Sequence, residues 1–148
     1  MLIRKAAKEE CNIIVEYQLA MAKETEGIIL DSSTVEKGVK AVFDDSAKGQ
    51  YYVAEIKGKI AGALLTTFEW SDWRNGTILW IQSVYVIPEF RRRGVYQSLY
   101  AYLQKQVLES KTLNGIRLYA DKSNIAAHKT YEKMGMGHDH YVTFEWLK

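Results

Sequence analysis

One cysteine, one proline and three histidines occur among 148 residues, and no apolar run approaches the length of a membrane span. Each scarcity removes a class of protein. Cys11 alone cannot close an intramolecular disulfide, and Met1-Leu2-Ile3-Arg4-Lys5 lacks the apolar stretch of a secretory leader, so a cytoplasmic protein is expected. The longest nearly apolar stretch, around Ile60 to Leu65, falls far short of the roughly 20 residues that cross a bilayer. No membrane partner is expected. A net charge of only +2 argues against a protein that grips nucleic acid through its overall field. With Pro88 as the only proline there are few breakers, so short connections and one domain over residues 1–148 are expected. What is plentiful is core material: 47% of residues are apolar and 12% aromatic, enough for a packed interior in a chain of this size.

Hydrophobic periodicity orders the elements. Leu2 to Lys5 reads as a strand, and Lys8 to about Thr25 carries Cys11, Ile14, Val15, Leu19 and Ala22 at helical spacing. A second helix follows Asp31-Ser32-Ser33, with Glu36 placed to close a capping box on Ser33. Lys57-Gly58 separates strands Tyr51 to Ile56 and Lys59 to about Trp70, and Asn75-Gly76 turns into Thr77 to Ile87, apolar on both faces and so expected inside the sheet. Val95, Leu99, Tyr102, Leu103 and Val107 then mark a helix, which Asn114-Gly115 is expected to close before a strand from Ile116 to Ala120. Asn124 caps a last helix that Gly135 stops, and His138 to Trp146 alternates as a final strand whose edge would suit pairing in a homodimer. The order β-α-α-β-β-β-α-β-α-β predicts an α/β fold of the α+β kind, a mixed sheet with helices on its faces.

The chemistry concentrates in two segments. In Val84-Tyr85-Val86-Ile87-Pro88-Glu89-Phe90-Arg91-Arg92-Arg93-Gly94-Val95-Tyr96 a strand runs into a basic turn and opens a helix. Free N–H groups and the positive end of the helix dipole converge there, Gly94 lets backbone approach an anion, and Arg91, Arg92 and Arg93 add charge suited to a diphosphate. In Asn124-Ile125-Ala126-Ala127-His128-Lys129-Thr130-Tyr131, residues Asn124, Ala127 and Tyr131 share one helix face. By itself either segment is equally a solvated basic loop or an ordinary amphipathic helix.

Together they resemble the GNAT superfamily of N-acetyltransferases. Its signature is V-x-V-x-P, then [QR]-x-x-G-x-[GA], and later N-x-x-A-x-x-x-Y-x-K-x-G, matched here at Val84, Val86, Pro88, Arg91, Gly94, Asn124, Ala127, Tyr131, Lys133 and Gly135. The sequence departs at Tyr96, where glycine or alanine is usual, and at Met136, where phenylalanine is common. The resemblance implies an acetyl-CoA cleft between splayed central strands. The backbone of Val84, Tyr85 and Val86 would meet the pantetheine arm, the turn Arg91, Arg92, Arg93, Gly94, Val95 and Tyr96 would hold the diphosphate, and Asn124 and Ala127 would contact the cofactor or anchor the helix. Tyr131 would be the general acid that protonates the departing thiolate, a role open to a phenol.

The acceptor would be a primary amine, on a small molecule or a peptide. In some members of the superfamily a glutamate four residues before the first valine readies it; here that position is Trp80. Glu69 and Asp72 are the nearest alternative bases, directly or through water, and Trp70, Trp73, Trp80 and Gln82 are candidate walls of an acceptor pocket. Glu24 and Glu26 stand as candidates for its rim. Two other readings compete: an acyl-CoA sensor without turnover, suggested by the missing carboxylate at Trp80, and a nucleic-acid contact through Arg91 to Arg93. His138-Asp139-His140 has chelating spacing but no further ligand nearby, and no metal is expected.

Overall fold

In the computed structural model, which describes residues 1–148, the chain divides into two compact units, 1–117 and 118–148. The first contains β1 (Leu2–Lys5), α1 (Cys11–Glu26), α2 (Ser32–Asp44), β2 (Gln50–Ile56), β3 (Lys59–Ser71), β4 (Gly76–Val86), α3 (Val95–Glu109) and β5 (Leu113–Arg117). Single 3-10 turns at Lys8–Glu10 and Pro88–Phe90 lead into α1 and toward α3. The sheet order is β1-β2-β3-β4-β5, antiparallel up to β4 and parallel between β4 and β5. No helix is long and apolar enough to cross a membrane.

Alternation along the strands sorts the core into two layers. Tyr51 and Val53 on β2, Ala63 on β3 and Tyr85 on β4 pack with Ile14, Tyr17 and Val39 from α1 and α2. The intervening Tyr52 meets Tyr102 of α3 on the other face, ring centroids 5.7 Å apart. Gly62 shows how close α3 lies: a Cβ there would stand 3.2 Å from Val95 Cγ1 and 2.7 Å from the Tyr85 carbonyl oxygen. The expected tight hairpin forms, with Lys57 at φ 51° and Gly58 at φ 76°, the pair of left-handed residues a two-residue turn needs.

Three expectations are corrected. The cap of α2 is Asp31, whose carboxylate accepts from Thr34 N–H at 2.8 Å; an anion at the first turn serves the positive helix end better than the Ser33–Glu36 pair, which falls inside the helix. Asn114-Gly115 does not close α3. The helix ends at Glu109, the Ser110 hydroxyl accepts from Thr112 and Leu113 N–H, and both Asn114 and Gly115 lie within β5. Residues 138–148 form no strand, although their alternation is intact: alternation marks a face but supplies no hydrogen-bonding partner.

The second unit is built on α4 (Ile125–Lys133). Asn124 Oδ1 accepts from Ala127 N–H at 3.1 Å, and Gly135, at φ 82°, lets the chain leave the helix.

Candidate active site

The turn after β4 has the form an anion requires. Arg92 at φ 60° and Gly94 at φ 76° are both left-handed, and Gly94 occupies the N-cap of α3 without a capping side chain. The first-turn N–H groups of a 15-residue helix are therefore left for another acceptor, with the positive end of the macrodipole behind them. Val95, 2% exposed, fixes the helix start against the sheet. Tyr96 packs along the helix toward Tyr100, ring centroids 6.4 Å apart, with its hydroxyl shielded from solvent.

Beside this turn, β4 has an open edge. It pairs with β5 only from Thr77 to Trp80, opposite Leu113 to Arg117, so Ile81 to Val86 have no strand partner on that side. On the other side the ladder with β3 steps from Leu65↔Ser83 to Thr66↔Ile81, leaving Gln82 as an extra residue in a bulge. A strand edge that runs into a helix N-terminus offers backbone donors and acceptors to an extended chain and a cradle to its phosphates.

Arg91 turns away from the first turn of α3. Its Nε donates to the Val86 carbonyl at 2.8 Å, its Nη2 to Glu24 Oε2 at 2.5 Å, and its guanidinium lies 5.5 Å from the Tyr85 ring centroid. The Tyr85 hydroxyl donates to Glu24 Oε1 at 2.9 Å. Arg91 and then Tyr85, by hydrogen bonding, hold the Glu24 carboxyl below its ordinary range, while burial and then Glu24 push the Tyr85 phenol up. Arg93 stands 5.5 Å from the Phe90 ring.

The face of the sheet toward α1 gathers a second group. Counting by twos from Ala63 puts Thr67 and Glu69 on that face, with Trp80 and Ile78 opposite them. Gln82 Nε2 donates to Thr67 Oγ1 at 2.8 Å, and Arg117 on β5, in register with Trp80, donates to Glu69 Oε2 at 2.5 Å. Glu69, Trp80 and Gln82 are thus brought together. Trp70 is not, since it follows Glu69 in an extended strand and projects from the opposite face, 64% exposed. Asp72 and Trp73 lie in the turn beyond β3, where Asp72 Oδ1 accepts from Trp73 N–H and the indole is 93% exposed. Sequence reasoning missed Thr67 and Arg117; the only signal for Arg117 is its parallel register with Trp80, which cannot be counted before the topology is known.

In the second unit Tyr131 lines a cavity of about 310 Å³ together with Tyr119, His128, Glu132, His138 and Tyr141. His138 pairs with Glu132 at 3.1 Å and packs edge-on to His128, and no group of three or more metal-ligating side chains converges anywhere.

Residues 17–136 match the acetyltransferase (GNAT) family. The chain belongs to this family. It is an acyltransferase, and the superfamily and fold class expected from the two motifs are confirmed. The structure of a possible acetyltransferase from Clostridium difficile 630 is 41% identical, with a TM-score of 0.94 over 99% of this chain and 97% of that one. An uncharacterized N-acetyltransferase of Methanocaldococcus jannaschii is 34% identical over 85 residues, 57% of this chain; that match spans about half (51%) of the relative's length. An aminoglycoside acetyltransferase from an uncultured soil metagenomic sample, solved with sisomicin, shares the fold at 18% identity, TM-score 0.77, over 99% of this GNAT chain and 95% of its own.

Proposed function

We propose that this acetyltransferase moves an acetyl group from acetyl-CoA directly to a primary amine. The observation that supports the reading most is the uncapped, doubly left-handed start of α3 beside the open edge of β4. The residues fit the cosubstrate: first-turn N–H groups and Arg92 and Arg93 would bind the diphosphate, and the backbone of Val84 to Val86 would align the pantetheine arm. Acetyl-CoA supplies an acetyl group activated as a thioester.

The protein must ready the amine. An alkyl amine with pKa near 10.4 is neutral in about one molecule in 10³ at pH 7, a cost of about 4.6 kcal/mol unless a group takes the proton. Glu69 is our choice of base over Asp72, because Arg117 anchors its Oε2 and Trp80 and Gln82 flank it, whereas Asp72 serves the turn. The proton passes from the ammonium to Glu69, directly or through water, and the Trp80 ring offers the cation its face. The motif resemblance makes Tyr131 the candidate that would give its hydroxyl proton to the departing thiolate.

The test is calorimetry with CoA followed by an amine panel scored by thiol release from acetyl-CoA. Micromolar binding and amine-dependent thiol are expected. Absence of a binding heat ends the cofactor reading, and binding without thiol release on any amine makes the chain a sensor.

A further inference from the structure

Glu24, in the last turn of α1, is absent from the reaction above, yet it is the residue to which Arg91 is most tightly tied. The tie is of a kind that can be exchanged. Both partners are about two-fifths exposed, Arg91 at 42% and Glu24 at 41%, and a surface ion pair of this sort is weak. A diphosphate, with more charge and a geometry that matches the guanidinium fork, is a stronger partner for the same arginine. Arg91 sits at the start of the turn that leads into α3, so occupancy of that turn by a diphosphate competes directly with Glu24.

When Arg91 changes partner, Glu24 does not drift. Its Oε1 still accepts from the Tyr85 hydroxyl, and Tyr85 is itself seated against Tyr17, ring centroids 5.3 Å apart. Its Oε2 is then an anionic oxygen without its countercharge. The chain just beyond it leaves α1 through Gly27, left-handed at φ 67°, and presents Ile28, Ile29 and Leu30 to solvent, Ile29 being 88% exposed. A carboxylate beside an exposed aliphatic run matches one ligand chemistry, an ammonium carried on an apolar body.

We propose that Glu24 is an entry carboxylate for the ammonium of an apolar primary amine, met before the ammonium reaches Glu69 and Trp80, and masked by Arg91 until a diphosphate occupies the turn before α3. This rests on the cofactor reading given under Proposed function. It makes acceptor binding conditional on the cosubstrate through a named exchange of partners: Arg91 releases Glu24 Oε2 and takes a phosphate oxygen, and the amine takes Glu24 Oε2.

The experiment is calorimetric and uses the full chain. 2-Phenylethylammonium is titrated into the free protein and into protein saturated with CoA, for the wild type and for Glu24→Gln. In the wild type CoA should tighten amine binding about two- to fivefold, the strength of the surface pair that CoA breaks. In Glu24→Gln that gain should fall below about twofold, while CoA itself binds about two- to fivefold more tightly because Arg91 no longer has a competing anion. A merely structural role for Glu24 does not strengthen CoA binding. If Glu24→Gln fails to fold, Glu24→Asp carries the test: the shorter carboxylate cannot span both Arg91 and Tyr85, so CoA again binds more tightly and part of the amine gain survives. Amine affinity in the wild type that CoA leaves unchanged, or CoA affinity unchanged or weaker in the variants, overturns the proposal with the cofactor reading intact. A wild-type chain that takes up no CoA overturns the cofactor reading instead.

Discussion

A phenol ordinarily titrates near pH 10, so at neutral pH it arrives protonated and can give a proton to a thiolate at the moment of expulsion. That is the role proposed for Tyr131, and removing only its oxygen isolates it. Tyr131→Phe should lower kcat about 10²-fold or more while the Kd for CoA, measured by calorimetry, stays within about twofold. Equal losses in kcat and CoA affinity would show that the hydroxyl serves to bind the cosubstrate rather than to transfer a proton. Glu69 and Trp70 show what residue-level reading can and cannot reach. Both were legible as members of a chemically suggestive stretch, but neighbours in an extended strand face opposite ways, so a cluster in sequence is split in space. Glu24 and Tyr85 show the converse, 61 residues apart and joined by one hydrogen bond.

At the scale of elements, local signals held where the backbone itself demanded a residue type and failed where packing overrode them. Lys57-Gly58 forms its turn because two positive φ values are needed there. Asn114-Gly115 carries an equally good turn signal, but the Asn114 side chain covers Gly76, where a Cβ would fall 1.7 Å from its Oδ1, and the Gly115 side of β5 faces Ile78. The pair is chosen for room across the parallel ladder, which no local window contains. The same logic makes Gly62 a sensitive position in β3. Gly62→Ala has an ordinary backbone conformation but brings a methyl to 2.7 Å from the Tyr85 carbonyl oxygen and into the contact with Val95. It should destabilise the fold by about 1–3 kcal/mol, read as a lower midpoint in urea with unchanged slope. Because β4 and the start of α3 must both shift, CoA affinity should fall as well, whereas a substitution that only opened a surface loop would spare it.

For the whole molecule, the order of strands was legible because each period change marked an element and short connections left few topologies. The expected final strand from His138 to Trp146 does not form, since alternation in sequence supplies no hydrogen-bonding partner. The assembled charge distribution also sets how the fold answers acid. Glu10 ties β1 to the entry of α1: Arg4 donates to both its oxygens, at 2.6 and 2.9 Å, and Ala7 N–H donates to Oε2 at 2.7 Å. The Arg4 hydrogen bonds, then the Ala7 N–H, hold the Glu10 carboxyl below its ordinary value against the opposing effect of burial. A carboxyl held low in the fold contributes stability that is complete above its unfolded value, near 4.3, and is lost as pH falls through the lower folded value. Glu24, Asp31, Asp44, Asp45 and Asp121 are also held low, but Asp44 and Asp45 sit in screened pairs about half exposed, Glu24 is 41% exposed and Asp31 and Asp121 lie at the surface, so Glu10, only 14% exposed, dominates the acid response. The melting temperature should therefore be nearly flat from pH 7 to about 5 and drop below about 4.3. Glu10→Gln keeps the shape and an acceptor for Ala7 but cannot titrate; it should melt lower at pH 7 and lose less on acidification. A Glu10→Gln chain whose melting temperature fell with acid as steeply as the wild type would assign the response to the exposed pairs, and 0.5 M salt would then flatten it.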